Sequence, residues 1–341
     1  MKRAASSSIS ASLFGLALAA VPLLSQQPTV SNEDQQLDRQ LLSIAQAHHG
    51  HVALYAHNLK TGQTAAVDPD QPVQTASVIK MGVLLDAAEQ IRAGQVSLAD
   101  KLILTKPNQV PGSGVIGQLT APLTLTLGDT LHLMVVLSDN TATNLAIDRL
   151  GLDHINSTLR AASLQQTVLY KKVYMPAQGP MPADQPKFGL GKTTAREMAS
   201  IMERLAVCRL NLDGSAPNSG DGPLCGALLH SLRQQQDRDS LPRYLEALDT
   251  SEHGSAIANK TGALDAVRND VALIATKNGP VVIAAFTWNN TDQRWTGDNE
   301  AEQTLAKLAQ AIITRWSPSG LDAASFPWDN PLAPGPAAQN P

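Results

Sequence analysis

The chain has 341 residues, of which 43% are hydrophobic and 16% are charged, and its formal net charge is −4 at pH 7. This length and apolar content suffice to bury a full core as one large domain or two small ones. No basic stretch is dense enough to form a nucleic-acid footprint, so the composition argues against a nucleic-acid-binding protein.

The N-terminal segment has the pattern of a secretory signal. Lys2 and Arg3 precede a Ser/Ala spacer and the apolar run 13–24, LFGLALAAVPLL, which is too short to span a bilayer. We therefore predict a signal peptide over residues 1–25. Because no cysteine lies directly after the apolar run, we expect a secreted or periplasmic protein with no stable membrane anchor.

The next segments show helical or β periodicity. Residues 32–48 carry leucines at helical spacing. Two short strands follow, HVALYAHN (51–58) and QTAAVD (63–68), and the Lys-Thr-Gly turn between them predicts a hairpin. Helical patterns and loops dominate residues 73–253. Three late β runs, SAIANKT, DVALIAT and VVIAAFTW, precede a final amphipathic helix that ends at Trp316.

The β runs are divided between the two ends of the chain, which indicates one sheet assembled from both ends. The predicted sheet half comprises residues 32–72 and 254–316, and the helical half, 73–253, is inserted between them. This corresponds to an α/β (α+β) fold in a single domain over residues 32–316. Residues 317–341 are rich in proline and alanine and lack periodicity, so we predict a flexible tail there.

The two cysteines flank a segment, 209–224, that is rich in Gly, Pro, Asn and Asp and is therefore predicted to be a loop. Cys208 ends one helical pattern and Cys225 begins the next. In an exported protein, paired cysteines are favoured over free thiols. We predict a Cys208–Cys225 disulfide that closes this loop, and two free thiols are the alternative.

The stretch QTASVIKM (74–81) places Ser77 and Lys80 three residues apart at the start of an apolar helix. Residues at i and i+3 share a helix face, roughly 5–6 Å apart at Cβ, and the helix start favours developing negative charge. Desolvation lowers the pKa of a lysine, so a neutral Lys80 amine can take the Ser77 proton and activate a nucleophile. Taken alone, this pattern more often marks a helix-start serine and a snorkelling lysine.

A second polar segment, Ser138-Asp139-Asn140, lies where one apolar helix is predicted to end and another to begin. Ser, Asp and Asn all favour helix N-caps, so this segment can be a cap and nothing more. The same side chains can also do chemistry, since Ser138 can relay a proton to a leaving group and Asn140 can donate to a substrate amide. The position in the sequence leaves both interpretations open.

A third segment, Lys260-Thr261-Gly262, ends the β run SAIANKTG. Lys260 can offer a positive charge to an anionic substrate and Thr261 a hydroxyl, while Gly262 permits close approach of a ligand to the backbone. Each of the three segments is a weak signal by itself. The ordered set S-x-x-K, S-D-N and K-T-G is specific, because it is the signature of class A β-lactamases and penicillin-binding proteins.

The chain therefore resembles the class A β-lactamase and penicillin-binding serine hydrolase family over about residues 34–316. The stretches PGSGVIGQL (111–119), GKTTAREMA (191–199) and RNDVALI (268–274) agree with the resemblance. The family fold is a five-stranded antiparallel sheet flanked by helices, together with an all-helical half. Its active site lies in the cleft between the two halves, so we expect the same arrangement here.

The resemblance implies a role for each motif residue. Ser77 is expected to be the acylated nucleophile, Lys80 the proton acceptor and Ser138 the proton shuttle. The residues expected to bind substrate are Asn140, Lys260, Thr261 and Gly262. The backbone N–H groups of Ser77 and Ala263 are expected to form the oxyanion hole.

The resemblance implies neither a cofactor nor a metal. The histidines of HHGH (48–51) come without a set of Cys or carboxylate ligands. We therefore favour a solvated helix end over a metal site there. The expected partner is a small-molecule substrate, either a β-lactam or a cell-wall peptide, and we expect a monomer.

One stretch departs from the family pattern. In class A β-lactamases, a loop between the second and third motifs carries a glutamate followed by x-x-Leu-Asn, and this glutamate positions the hydrolytic water. The corresponding residues here, 167–194, contain no glutamate. Anchoring on Leu169 places Val173 at the glutamate position, and Asp184 is far from the expected spacing. Acylation is therefore expected to be intact and rapid deacylation to be absent.

Three functions remain open at this point. The first is a serine hydrolase that opens β-lactams and organises deacylation in some other way. The second is a penicillin-binding D,D-peptidase-like enzyme that acts on peptidoglycan peptides and is only slowly deacylated by β-lactams. The third is a catalytically poor binding or sensing domain, which is the least favoured because no second domain or membrane span is predicted to transmit a signal.

Overall fold

The computed structural model describes Met1, Asp249 and three longer segments, residues 32–212, 218–246 and 255–327. The signal peptide predicted over residues 1–25 thus lies, apart from Met1, outside the described residues. No helix within the described segments is long and apolar enough to cross a membrane.

Nine α-helices and ten β-strands make up the regular structure of the described segments. The helices are α1 (Asn32–Ala47), α2 (Lys80–Arg92), α3 (Leu127–Val136), α4 (Asn140–Leu150), α5 (Leu152–Ala161), α6 (Gln185–Phe188), α7 (Ala195–Ala206), α8 (Asp221–Arg233) and α9 (Glu300–Trp316). The strands are β1 (His51–Asn58), β2 (Thr64–Val67), β3 (Val73–Gln74), β4 (Lys101–Leu104), β5 (Leu123–Thr126), β6 (Val168–Leu169), β7 (Gly191–Thr193), β8 (Ile257–Leu264), β9 (Val267–Ile274) and β10 (Val281–Trp288).

The central sheet is antiparallel and has the strand order β2-β1-β10-β9-β8, which joins strands from both ends of the chain. Every residue of β9 and all but the last residue of β10 are buried. Strands buried in this way are covered on both faces, and α7 and α9 both pack against β9 and β10. The structure confirms the predicted five-stranded sheet, and it places β8 at the edge.

The helix α2 is the centre of the helical half. Ten of its thirteen residues are buried, and it packs against α4, α5, α7 and α8. Two small sheets, β3-β7-β6 and β4-β5, border this half. The sequence did not predict them, because strands of two to four residues are too short to show a period.

A disulfide joins Cys208, which follows α7, to Cys225 inside α8. Both residues are buried, so the bond fastens the intervening loop to the core. This is the pairing proposed from the sequence, and residues 213–217 of the loop lie outside the described residues.

Residues 317–327 pack on the domain, so the predicted boundary of a flexible tail at residue 317 is wrong. Leu321 forms a β-bridge with Thr276, and Phe326 is 5% exposed with its ring 4.5 Å below the Arg233 guanidinium. The few apolar residues of this segment are irregularly spaced, and periodicity does not detect that kind of docking. Residues 328–341 lie outside the described residues.

Candidate active site

Ser77 lies on a short 3-10 helix, Ala76–Ile79, that continues directly into α2. Val78 and Ile79 are buried and anchor this turn in the core, whereas Ser77 is partly exposed. Ala76 has a φ of +44°, a left-handed conformation that is unusual for a residue with a Cβ and that clusters at functional sites. The turn thus exposes the Ser77 side chain while its neighbours stay buried.

The edge strand β8 runs directly past the Ser77 turn at Gly262. A Cβ placed on Gly262 would lie 2.8 Å from Ser77 N and 2.7 Å from Val78 N, so any side chain there would push the strand away. This close approach brings the next residue, Ala263, to the same edge of the cleft as Ser77. Their backbone N–H groups are the oxyanion-hole donors that the family resemblance implies.

Asn269 holds the sheet and the Ser77 turn together. It lies opposite Gly262 on β9. Its side-chain Nδ2 donates hydrogen bonds to the backbone oxygens of Gln74 (2.8 Å) and Thr75 (3.2 Å), the two residues that lead into the turn. The position of the nucleophile relative to the edge strand therefore depends on Asn269, for which the sequence predicted no role.

Lys80 is the first residue of α2 and is fully buried. Its Nζ donates three hydrogen bonds, to Ser138 O (2.7 Å), Ser138 Oγ (3.0 Å) and Asn140 Oδ1 (3.1 Å). Burial lowers the pKa of Lys80 well below its usual range, the charge of Lys260 lowers it further, and Asp139 acts in the opposite direction. Burial and the charge of Lys260 therefore shift the equilibrium toward the neutral amine, which keeps two of these three hydrogen bonds and has a lone pair that can accept a proton.

Ser138 lies between two buried lysines. Its Oγ accepts a hydrogen bond from Lys80 Nζ (3.0 Å) and another from Lys260 Nζ (3.1 Å). A hydroxyl oxygen has two acceptor lone pairs, so both are occupied and the hydroxyl proton is left to donate to a third group. This arrangement suits a residue that hands a proton to a leaving group.

Lys260 is fully buried on β8, and its Nζ also donates to the backbone oxygen of its neighbour Thr261 (2.7 Å). Burial lowers the pKa of Lys260 to about 8, although the carboxylates of Asp237 and Asp270 favour its charged form. Lys260 is therefore mostly cationic at neutral pH. It supplies a fixed positive charge next to Ser138, where an anionic group of a substrate can bind.

Asp139 and Asn140 hold the glycine-rich loop PGSGVIGQL beside the cleft. The Asp139 carboxylate caps α4 and also accepts hydrogen bonds from Val115 N (2.7 Å) and Ile116 N (2.9 Å). The Asn140 side chain donates to Pro111 O (3.2 Å). Asp139 is thus the N-cap of α4, and Asp139 and Asn140 also fix the glycine-rich loop, while the chemical roles of Ser138 and Asn140 stay predictions.

Val173 occupies a fixed place beside α4. Asn144 accepts a hydrogen bond from Val173 N (2.8 Å) and donates one to Val173 O (2.9 Å). Residues four apart share a helix face, so Val173 is held on the face of α4 that carries Asn140, the partner of Lys80. Val173 is 9% exposed and apolar, at the position where the family resemblance leads us to expect a water-activating glutamate.

The one carboxylate of the loop 167–194 is engaged in other contacts. Asp184 accepts hydrogen bonds from Lys192 Nζ (2.8 Å) and Tyr170 Oη (3.1 Å). The hydrogen bond from Lys192 holds the pKa of Asp184 below its usual range. Asp184 is thus an ion-pair partner within the loop and does not replace the missing glutamate.

The histidines of HHGH have partners other than a metal. His48 is buried and hydrogen-bonds to Asn290 Oδ1 (3.0 Å) and Thr304 Oγ1 (3.2 Å), and His51 stacks on Trp288. The expectation of a solvated helix end is therefore wrong for His48, which is a core residue. Within the part of the chain that the structure describes, no group of three or more His, Cys, Asp or Glu residues could hold a metal ion.

A match to a known family identifies the class of protein to which this chain belongs. The sequence profile of the β-lactamase enzyme family matches residues 36–316. The chain belongs to the β-lactamase enzyme family. The match spans all three motif segments and both halves of the fold.

Several known proteins are similar to this chain over most of their length. A β-lactamase from Sphaerobacter thermophilus is 27% identical with a TM-score of 0.68, over 81% of this chain and 96% of that one. PBP-A is 23% identical with a TM-score of 0.65, over 84% of this chain and 96% of that one, and it shares the fold. The β-lactamase regulatory protein BlaB of Streptomyces cacaoi is 23% identical over 288 residues, which is 76% of this chain and 90% of BlaB.

In this β-lactamase-family chain, hydrogen bonds link the three predicted motif segments through Lys80, Ser138 and Lys260. Asn144 and Asn269 are the site residues that sequence reasoning missed. A signal for Asn144 was present, since an asparagine four residues after Asn140 falls on the same face of α4. For Asn269 the only signal was its place in the polar run Arg268-Asn269-Asp270 of the strand β9.

Proposed function

We propose that the protein is a serine enzyme of penicillin-binding type that forms an acyl-enzyme at Ser77 with β-lactams or related amides and hydrolyses it slowly. The hydrogen-bonded chain Lys80–Ser138–Lys260 carries this proposal. A buried base and a proton relay beside an exposed serine are the parts that acyl transfer from an amide requires. Membership of the β-lactamase family supports serine acyl-transfer chemistry in general.

In the acylation step, Ser77 Oγ attacks the carbonyl carbon while its proton passes to the neutral amine of Lys80. The backbone N–H groups of Ser77 and Ala263 stabilise the negative charge that develops on the carbonyl oxygen. The C–N bond breaks as Ser138 gives its hydroxyl proton to the leaving nitrogen. Lys80 then returns a proton to Ser138 through their 3.0 Å hydrogen bond, which leaves an ester at Ser77 and an amine.

Substrate binding depends on charge and on one amide. Lys260 carries a positive charge at neutral pH and attracts the carboxylate that β-lactams share with the C-terminus of cell-wall peptides. Asn140 offers its side-chain amide to the amide of the substrate. Thr261 offers its hydroxyl to the substrate. Gly262, which has no side chain, lets the backbone of β8 come close to the substrate.

Hydrolysis of the ester needs a base that activates a water molecule. Asn144 fixes Val173 where that base is expected, and an apolar side chain can neither orient nor deprotonate water. Lys80 is the other candidate, but its Nζ is engaged by Ser138 and Asn140, which orient it for the proton relay of acylation. Deacylation is therefore the slow step, which favours a D,D-peptidase-like enzyme that β-lactams trap.

Two relatives favour other functions. The 27% identical protein from Sphaerobacter thermophilus is a β-lactamase, so a hydrolase that opens the β-lactam ring with steady turnover is the second candidate. BlaB is described as a β-lactamase regulatory protein, so a domain that binds without reacting is the third. The proposed substrates occur outside the cytoplasm, and the signal-peptide pattern supports a secreted or periplasmic protein.

Intact-mass spectrometry during and after exposure to penicillin G tests the proposal. The wild type should gain the mass of one penicillin, and the adduct should persist after the free drug is removed. Ser77→Ala should gain no mass, whereas Ser163→Ala, a change at an exposed serine, should behave as the wild type. An adduct on another residue contradicts the role of Ser77, and an adduct that disappears as fast as it forms favours the β-lactamase.

A further inference from the structure

Tyr174 has an unusual conformation at the edge of the cleft. It directly follows Val173, whose backbone Asn144 holds at both N and O. Its φ is +56°, and the residue is 64% exposed. A large aromatic residue rarely adopts a left-handed backbone, and no apolar burial compensates here. Such conformations cluster where a side chain is positioned for function.

The phenol ring of Tyr174 lies close to the amide of Asn140. A Cβ built on Gly112 would lie 2.7 Å from Asn140 Nδ2, 3.0 Å from Tyr174 Cε2 and 3.1 Å from Tyr174 Oη. Both side chains therefore approach the same point beside Gly112, a space that any side chain at position 112 would fill. A substituent on a substrate amide bound by Asn140 would extend toward the exposed ring of Tyr174.

Two other exposed apolar side chains lie on segments that contact the motif residues. Val115 belongs to the glycine-rich loop that Asp139 holds, and it is exposed. Leu264 ends β8 one residue after Ala263 and is exposed too. Single exposed apolar residues are ordinary, so a substrate contact at this edge depends on Tyr174 and its place beside Asn140.

We propose that Tyr174 is a substrate-binding residue that packs against an aromatic or other flat apolar substituent on the amide bound by Asn140. The substrate class is thus an N-acylated β-lactam or peptide whose acyl group carries such a ring. This inference rests on the proposed function, because Asn140 has to bind the substrate amide. It adds a specificity contact that lies outside the three motifs.

Two penicillins separate this contact from the chemistry. Penicillin G carries a phenylacetyl group on its amide, and 6-aminopenicillanic acid has the same ring system without the acyl group. Tyr174→Ala should lower the second-order rate constant for acylation of Ser77 by penicillin G roughly two- to tenfold, the range expected for one aromatic contact. Tyr174→Phe keeps the ring and should retain the wild-type rate constant.

The selectivity between the two penicillins is the decisive readout. The ratio of the rate constants for penicillin G and 6-aminopenicillanic acid should fall in Tyr174→Ala. It should stay at the wild-type value in Ile103→Ala, a change at a similarly exposed residue on β4. Equal losses for both compounds would assign Tyr174 a structural role in the loop, and no loss for penicillin G would also overturn the proposal.

A binding measurement keeps the inference testable if acylation itself fails. In the Ser77→Ala background no ester can form, so calorimetry reports the affinity alone. Penicillin G should bind more weakly when Tyr174→Ala is added, and the affinity for 6-aminopenicillanic acid should change less. Equal affinities of the single and double variants for penicillin G would reject the contact, whereas absence of acylation in the wild type would reject only the proposed function.

Discussion

Replacing Lys260 with arginine tests the electrostatics of the cleft. The titratable groups that face Lys260 are Lys80, Asp237 and Asp270. Burial lowers the pKa of Lys260 to about 8, so its ammonium is present below that pH and is lost above it. Acylation of a substrate that carries a carboxylate should therefore slow as the pH rises through about 8. A guanidinium keeps its charge throughout this range, so Lys260→Arg should remove the alkaline fall.

The size of the effect follows from the pKa. With a value of about 8, the protonated fraction of Lys260 falls about tenfold between about pH 7 and about pH 9. The ratio of the acylation rate constants, Lys260→Arg over wild type, should therefore rise about tenfold over that interval. Because this is a ratio, any constant loss caused by the larger arginine cancels.

Stopped-flow acylation by a chromogenic cephalosporin, measured from acid to alkaline pH, provides the assay. The acid side reports on Lys80, whose neutral amine is needed and whose pKa is depressed partly by the charge of Lys260. Lys260→Arg should leave the acid limb in place, whereas Lys260→Met should move it to higher pH because the neighbouring charge is gone. Parallel profiles for the wild type and Lys260→Arg would refute the assignment of the alkaline limb to Lys260.

Val173→Glu should shorten the lifetime of the penicillin adduct by about 10²-fold or more, the usual contribution of a general base. Val173→Gln cannot take a proton and should leave the lifetime unchanged. Equal adduct lifetimes for the two variants in mass spectra would disprove the deacylation argument. Replacing both Cys208 and Cys225 with serine should lower the free energy of unfolding by about 2–4 kcal/mol in urea titrations without changing acylation. Phe326→Ala should cost about 3–4 kcal/mol in the same titration, and an unchanged midpoint would show that residues 317–327 add nothing to stability.

The sheet was predictable because its strands are long and strongly patterned. The runs HVALYAHN and VVIAAFTW were predicted to be strands and form β1 and β10. These strands pair from His51 opposite Trp288 to Asn58 opposite Val281. Because the two runs lie near opposite ends of the chain, they indicated one sheet assembled from both ends. Strands such as Val73–Gln74 carry no comparable signal, since two residues show no alternation and their pairing with β7 depends on tertiary contacts.

The motif residues were predictable as types, but their environments were not. Nothing in the sequence shows that Lys80 Nζ makes three hydrogen bonds to the S-D-N segment, because those partners lie about sixty residues away. Its depressed pKa arises from complete burial and from a second lysine that belongs to β8. The contact between Asn269 and the backbone of Gln74 spans an even longer separation of 195 residues.

Backbone strain shows why the cleft needs both halves of the fold. Seven residues other than glycine have positive φ in the described part of the chain, and three of them are Ala76, Ser138 and Tyr174. Alanine, serine and tyrosine give no sequence signal for a left-handed backbone, which costs roughly 1–2 kcal/mol for a residue with a Cβ. Each of these conformations must be stabilised by its surroundings. Ala76 lies in the turn that packs against β8, and Tyr174 follows Val173, whose backbone N and O are hydrogen-bonded to Asn144. The two serines of the proton path and the proposed substrate contact are therefore positioned by packing between segments that are far apart in the sequence.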